Sequence, residues 1–176
     1  MDTKGETIIK PFIETYDTLE KYLDLKEQII IELFYFLKEI VDLEGEMSLR
    51  LRNYEKLAGQ GSLTREQMAH MCSAIFAEHE ERRQKITEKK CTNEFLEKDR
   101  ESAITSPSKY DYVVSGCEKC IFTMKKPKQA LVEVEFRKGT LYLKHRFRLK
   151  KEENKWKLCA FNVWDPYDYK WHRGGI

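Results

Sequence analysis

The spacing of apolar side chains changes once along this 176-residue chain, and that change limits the folds open to it. Before residues 105–108 (Thr-Ser-Pro-Ser), apolar residues recur every three or four positions, the spacing of an amphipathic helix. After this segment they recur at every second position, the spacing of a strand with one buried face. We therefore expect one α+β domain, with helices at about residues 8–100 packed on the concave face of a strongly curved antiparallel sheet at about residues 110–164.

Two helices are predicted before the glycine-containing turn at residues 57–62. The first carries an apolar stripe formed by Phe12, Tyr16, Leu19 and Leu23. The second is longer and ends within residues 57–62, where two nearby glycines favour a turn. Its apolar stripe comprises Ile30, Leu33, Leu37, Ile40, Val41, Met47, Leu51 and Tyr54.

A third helix is predicted to begin at Thr64. Thr64 and Gln67 have the spacing of a capping box, in which each side chain satisfies a backbone N–H group left free at the helix start. The apolar face that follows comprises Met68, Met71, Cys72, Ile75 and Phe76. Beyond Glu78 the residues become highly charged, so we expect that part to face solvent. A short helix at residues 94–99 completes this half.

The remaining apolar residues alternate and predict strands. Residues 110–114 and 120–124 are expected to form two of them. Further along, a two-residue turn at residues 138–139 would place Phe136 opposite Leu141 on one face.

A second hairpin turn is predicted near residues 153–154. This turn would place Leu149 opposite Leu158 and Phe147 opposite Ala160. The apolar positions then stay on one face through both hairpins, which supports this pairing.

The strand at residues 141–150 would be about 33 Å long, and a sheet of that length must coil. The helices are expected to cover its hollow side, giving a cone with Phe147 and Trp156 near the interior. The aromatic tail at residues 165–176 contains Pro166 and two glycines, so we expect it to be irregular.

Charge and cysteine content exclude several classes of protein. The 32 Lys and Arg residues nearly balance the 30 Asp and Glu residues, so no global field marks a nucleic-acid or membrane binder. The five cysteines are expected to be free thiols. Cys117 and Cys120 have the spacing of half a zinc site, but no second Cys or His pair lies at metal-binding spacing. We therefore expect neither metal nor cofactor.

The chain is expected to be cytoplasmic, without a membrane partner. Residues 1–6 lack the apolar core of a signal peptide. The longest apolar-rich stretch, residues 29–37, is interrupted by Glu32 and is too short to cross a bilayer.

His145 is the one histidine that the alternation directs into the cone, among Leu143, Phe147 and Trp156. It can be read as a catalytic base or as a buried neutral imidazole bonded to a neighbour such as Asn162. No carboxylate falls on the same inward face of the long strands, so a proton-abstracting pair is missing. We assign no catalytic residue and expect a protein without enzymatic activity.

Basic and aromatic side chains share the outward face of the predicted sheet. They are Tyr142, Lys144, Arg146, Arg148, Lys150, Lys157 and Phe161, and Val163 lies beside them. This face can be a solvated surface whose charge is offset by Glu133 and Glu135, a protein-binding platform, or a nucleic-acid surface. In the tail, Trp164 and Trp171 either pack over the sheet edge or contact a partner.

Several segments of the chain resemble nuclear transport factor two-like domains. The resemblance lies in the sheet half, at residues 110–114, 130–136 and 145–158. Within that superfamily, the chain is most similar to bacterial immunity proteins encoded beside polymorphic toxins. The shared features are residues 34–36 (Phe-Tyr-Phe) leading to Glu44, the charged segment 89–92, the Pro-x-x-Tyr entry at residues 107–110, and Lys170 with Trp171.

This resemblance implies that the chain binds a cognate toxin domain, encoded by the adjacent gene, and occludes its active site. The expected partner-binding residues are Tyr142, Arg146, Arg148, Phe161, Trp164 and Trp171. Two alternatives are an isomerase- or dehydratase-like enzyme that uses the cone cavity and a nucleic-acid-binding module that uses the basic face. A homodimer formed through the sheet would compete with partner binding on that face.

Overall fold

A computed structural model describes residues 7–99 and 103–176 and has an α+β architecture. A pair of long helices packs on a six-stranded sheet that remains open rather than closing into a barrel. The strands lie in chain order, β1 to β6. β1 runs parallel to β2, and every other neighbouring pair is antiparallel.

The two long helices are α1 (Lys26–Gly59) and α2 (Arg65–Lys90). At the usual rise per residue, the 34 residues of α1 span about 51 Å. The predicted capping box is confirmed: the Thr64 hydroxyl accepts from the Gln67 N–H, and the Gln67 carbonyl oxygen accepts from the Thr64 N–H. Two short helices follow, α3 (Asn93–Lys98), as predicted, and α4 (Tyr112–Ser115).

The sheet combines one very short edge strand with four long strands and a second short edge. Its members are β1 (Ile13–Thr15), β2 (Lys119–Lys126), β3 (Gln129–Lys138), β4 (Leu141–Glu152), β5 (Lys155–Asp165) and β6 (Lys170–Arg173). One face of the sheet contributes to the main core. We call this the inner face, and the opposite one the outer face.

The main core lies between α1 and the inner face of the sheet. Phe34 and Leu37 of α1 belong to the same buried cluster as Phe122, Val132 and Phe147 of the strands. A second, smaller cluster joins α1 to α2 and comprises Leu43, Met47 and Ile75. The helix pair therefore holds itself together separately from its contact with the sheet.

The predicted first helix does not form. Residues 13–15 form β1 instead, and a 3-10 helix follows at Glu20–Leu25. The cause is the free edge of β2, since the Cys120 N–H donates to the Phe12 carbonyl and the Tyr16 N–H donates to the Phe122 carbonyl. These hydrogen bonds hold the segment in an extended conformation, although its apolar residues have the spacing of a helix.

The predicted strand at residues 110–114 is also wrong. Residues 112–115 form one helical turn, α4, and Tyr110, Tyr112 and Val113 are buried in the core. Gly116, with φ of 98°, ends the turn in a backbone conformation that favours glycine, and β2 begins three residues later.

The charged end of α2 is not fully solvated, contrary to expectation. His79, Arg83 and Thr87 are buried, while most of their neighbours face solvent. Arg83 donates to the Asp99 carboxylate, at 2.7 Å, and to the carbonyl oxygen of Ile176. Arg83 of α2 therefore forms a buried ion pair with Asp99, and the charged end of this helix is not only a solvated face.

The first hairpin differs from its predicted register by two residues. Lys138 pairs with Leu141, so the turn consists of residues 139–140, and Phe136 lies opposite Leu143. A shift of two residues keeps every side chain on its face, because strand side chains alternate with a period of two. The predicted inner and outer faces of β3 and β4 are therefore correct, although the individual pairs are not.

The second hairpin contains a β-bulge that the sequence pattern missed. Leu149 pairs with Leu158 as predicted, but Arg148 pairs with Ala160, so Cys159 is an extra residue on β5. Beyond the bulge, Phe147 lies opposite Phe161 rather than Ala160. The tail is also more regular than expected, because β6 pairs with β5 in an antiparallel hairpin.

Candidate functional site: the outer face of the sheet

The outer face of the sheet carries charged side chains together with Tyr142, Trp164 and Trp171. On β4, His145, Phe147 and Leu149 are buried on the inner face, while Tyr142, Lys144, Arg146, Arg148 and Lys150 alternate with them. Five of the six predicted partner-binding residues lie on this face. They are Tyr142, Arg146, Arg148, Trp164 and Trp171.

Phe161, the sixth predicted residue, lies on the inner face. It is only 1% exposed and stacks on Phe147 with ring centres 4.8 Å apart. The bulge at Cys159 is the reason, since one extra residue moves every later side chain of β5 to the opposite face. Val163 turns inward with it and packs against the main core. Phe161 is therefore removed from the candidate surface.

Glu135 is the centre of one polar network on the outer face. Its carboxylate accepts a hydrogen bond from the Tyr142 hydroxyl and lies 3.0 Å from the Lys144 ammonium group. Lys119 lies 3.8 Å from Glu135 and 2.8 Å from Glu14. The network therefore connects β1, β2, β3 and β4 across the sheet.

Electrostatics favour the charged form of Glu135. Burial raises the pKa of the Glu135 carboxyl, but the hydrogen bond from Tyr142 and the ion pairs with Lys144 and Lys119 outweigh it, so this pKa lies below its usual value. Burial and the same hydrogen bond raise the pKa of the Tyr142 phenol. Tyr142 is therefore a hydrogen-bond donor that holds this face in place.

Arg146 is the centre of a second group. Its Nε and Nη2 atoms lie 3.1 Å and 2.9 Å from one oxygen of Glu133, and its guanidinium carbon lies 3.8 Å from the centre of the Trp171 ring. Trp171 in turn contacts Trp164 edge to face, with ring centres 5.4 Å apart. Arginine and tryptophan are the residues that most often dominate protein-binding energy.

Two arginines on this face have no ionic partner within the part of the chain that the structure describes. Arg148 and Arg173 are exposed, and neither lies within 4.0 Å of a carboxylate in residues 7–99 or 103–176. Arg148 lies opposite Ala160, and Arg173 lies opposite Asn162. Sequence reasoning missed Arg173, because the tail was expected to be irregular. The alternation of Trp171 and Arg173 was the signal that could have placed it.

On the inner face, His145 is closed to solvent. It is 4% exposed, and its Nδ1 atom lies 3.1 Å from the Tyr112 hydroxyl. Burial, and secondarily the charge of Lys109, lowers the pKa of His145 to about 3, so the imidazole is neutral. Asn162, the partner expected from the sequence, lies on the other face and donates to the His172 carbonyl.

The rings around His145 leave it in an aromatic enclosure. The Phe136 and Phe161 rings lie 4.8 Å and 5.0 Å from its own ring, measured between centres. A general base must reach the proton that it abstracts. His145 points inward as predicted, but it lacks the access to solvent that an enzyme using the cone cavity would require of it.

The five cysteines are free, as expected, and three are at least half-buried near the core. Interaction with the Cys120 thiol lowers the pKa of Cys117, while interaction with Cys117 and burial raise that of Cys120. Burial raises the pKa of Cys91 to about 12. Cys91 and Cys120 are therefore poor nucleophiles at neutral pH.

One group of side chains in the β5–β6 hairpin has the composition of a cation site. Ligand atoms of Asp165, Asp168 and His172 lie within 4.8 Å of one another. The two carboxylates also accept the backbone N–H groups of Tyr167 and Lys170, and Asp168 lies 2.8 Å from the His172 Nε2 atom. These contacts show that the three side chains stabilise the turn between β5 and β6 by hydrogen bonding.

None of the helices in the described ranges is long and apolar enough to cross a membrane. Comparison of the chain with models of protein families, with curated proteins and with solved structures finds no match.

Proposed function

We propose that the chain is an immunity protein of the nuclear transport factor two-like superfamily, which binds a toxin domain in the cytoplasm and occludes its active site. The single observation that carries this proposal is the outer face, where Arg146, Trp171 and Trp164 form an ordered cationic and aromatic group. The resemblance of the sequence to immunity proteins supports the choice of a toxin domain, the product of the adjacent gene, as the partner.

The order of this group supports protein binding in particular. Arg146 is held between Glu133 and the Trp171 ring, so it loses little conformational freedom when a partner binds. The indole rings are half-buried and keep part of their surface for contact. A preorganised patch of this kind has the composition of an interface hot spot.

Nucleic-acid binding fits the same face less well. Glu133 and Glu135 lie on it beside the basic residues and would repel phosphates. One face of the Trp171 ring is covered by Arg146, so it is closed to a stacking base. We therefore expect oligonucleotides to bind this face only weakly.

The test is growth rescue by co-expression. The product of the adjacent gene is induced in a bacterial host with and without this chain, and we expect growth arrest in the first case and growth in the second. The double variant Arg146→Ala with Trp171→Ala should lose rescue. Arg52→Ala with Tyr35→Ala, which changes exposed residues of α1, is the matched control and should retain it. Failure of the unaltered chain to rescue growth would refute the proposal.

A further inference from the structure

Charge is distributed unequally between the two halves of the chain. Residues 117–176, which include β2 to β6, contain 15 Lys and Arg side chains and 7 Asp and Glu side chains. Residues 1–116 contain 17 and 23. The nearly neutral total therefore combines a basic sheet half with an acidic helical half, and such asymmetry influences which partners a protein attracts.

Within the sheet half, the basic groups differ in what neutralises them. Lys144 and Arg146 have carboxylate partners on the outer face, Glu135 and Glu133. Lys150 and Lys157 share Glu152, at 3.2 Å and 3.8 Å. Their charge is offset within the chain, at least in part.

Among the described residues, no carboxylate lies within 4.0 Å of Arg148 or Arg173. They lie on β4 and β6, on either side of β5, and flank the small side chain of Ala160 and the Asn162 amide. Strand spacings separate their backbones by about 10 Å across the sheet and about 7 Å along it. Two guanidinium groups at this separation can each engage a different carboxylate of one partner surface, and arginine forks match carboxylate geometry.

We infer that the partner of the outer face presents a cluster of carboxylates, and that Arg148 and Arg173 bind it beside the Arg146–Trp171 group. The inference rests on the proposed function, because it specifies that the toxin domain bound by this chain has an acidic surface. Arg146 and Trp171 supply packing, while Arg148 and Arg173 supply charge selection and faster encounter with an acidic partner.

The test uses hexaglutamate as the probe, with hexalysine and a twelve-residue oligothymidine as comparisons. Two-dimensional NMR of the full chain follows the indole N–H signals of Trp164 and Trp171 and the backbone signals of β4, β5 and β6. A Trp156→Phe variant keeps tryptophans only on the outer face and gives a fluorescence titration of the same event. NMR of the unaltered chain remains available if that variant does not fold.

Hexaglutamate should shift these signals saturably, and the effect should weaken as salt is added. Replacing Arg148 and Arg173 with alanine should weaken binding about tenfold, the scale expected when two exposed charge pairs are lost. Arg52→Ala with Arg65→Ala removes two exposed arginines from the helices and should leave the titration unchanged. The inference would be overturned if hexaglutamate caused no shifts, or if the double variant of Arg148 and Arg173 bound it as tightly as the unaltered chain. Tighter binding of oligothymidine than of hexaglutamate would overturn it as well, in favour of nucleic acid.

The two proposals fail in different ways. If growth rescue succeeds and hexaglutamate does not bind the outer face, the function stands and the acidic partner is wrong. If hexaglutamate binds as expected and no rescue occurs, the preference for carboxylates stands and the toxin assignment is wrong.

Discussion

The guanidinium group of Arg146 lies 3.8 Å from the centre of the Trp171 ring, and this contact joins β6 to the middle of the sheet. Arg146 pairs with Asn162 of β5, and Trp171 pairs with Trp164 of the same strand, so the contact spans β5 diagonally. Glu133 fixes the other side of the guanidinium group. The short strand β6 is thereby held by side chains as well as by backbone hydrogen bonds.

This contact can be measured as a coupling energy. Trp171→Ala, Arg146→Ala and the double variant form a double-mutant cycle, and we expect a coupling of about 0.5–1 kcal/mol, the range of partly exposed cation–π pairs. Chemical denaturation of the four proteins provides the free energies of unfolding. A coupling of zero would show that the two side chains do not stabilise each other in solution.

The Glu135 network should make stability depend on pH in the acid range. The pKa of Glu135 is lowered in the folded chain, so its contribution is fully present above the unfolded value, about 4.3. It is lost as the pH falls through the folded pKa. Glu135→Gln should therefore flatten the loss of stability below about pH 4.5, as measured by urea denaturation at several pH values. An unchanged profile would contradict this account, and Glu153→Gln, at an exposed turn, is the control.

His145 should produce a pH dependence nearer to neutrality. Its pKa is about 3 in the folded chain and about 6.5 when unfolded, so between these values the unfolded chain binds one more proton. Stability due to this group is complete above about pH 6.5 and decreases as the pH falls, by up to about 1.4 kcal/mol per pH unit. His145→Gln, compared with exposed His70→Gln, should reduce the slope between pH 6 and pH 4, two values chosen inside this window. Equal slopes in both variants would contradict a buried neutral imidazole.

Gly174 is expected to be intolerant of any side chain. A Cβ atom there would lie 2.5 Å from two ring carbons of Phe161, and that ring is fixed by its stack on Phe147. Around it, the Gly174 N–H donates to the Phe161 carbonyl, and Ile176 is buried. Gly174→Ala should reduce the free energy of unfolding by about 1–3 kcal/mol.

Gly45 is the matched control for that substitution. It lies within α1, and a Cβ atom there would meet nothing within 4 Å among the described atoms. Because alanine favours helices over glycine, Gly45→Ala should raise the free energy of unfolding by about 0.5–1 kcal/mol. Thermal or chemical denaturation should therefore show opposite changes in the free energy of unfolding of the two variants. A change of the same sign in both would contradict the assigned packing.

Local sequence patterns predicted the elements that depend on local interactions. The 34-residue helix α1 and the capped start of α2 follow from spacing and from Thr64 with Gln67. Elements that depend on distant contacts were missed. β1 forms because β2 offers a free edge more than a hundred residues later, and no pattern within residues 12–16 indicates that.

On the candidate surface too, local patterns predicted some residues correctly, while features that depend on distant contacts were missed. Alternation along β4 correctly placed Tyr142, Arg146 and Arg148 on the outer face. Phe161 was misplaced because one bulge residue, Cys159, reverses the faces of β5. The Arg146–Trp171 contact requires knowledge that β5 and β6 are neighbours and in which register, which a single sequence does not reveal.

Side-chain footprinting of the complex tests the central claim most directly. The purified chain is mixed with the product of the adjacent gene, labelled with hydroxyl radicals and compared with the free chain by mass spectrometry. Protection of Trp164, Trp171 and Tyr142, with unchanged labelling of the exposed helix residues Tyr35 and Phe76, is the predicted result. Protection of Tyr35 and Phe76 instead, with the two outer-face tryptophans labelled as before, would show that the partner binds the helices and would contradict the account.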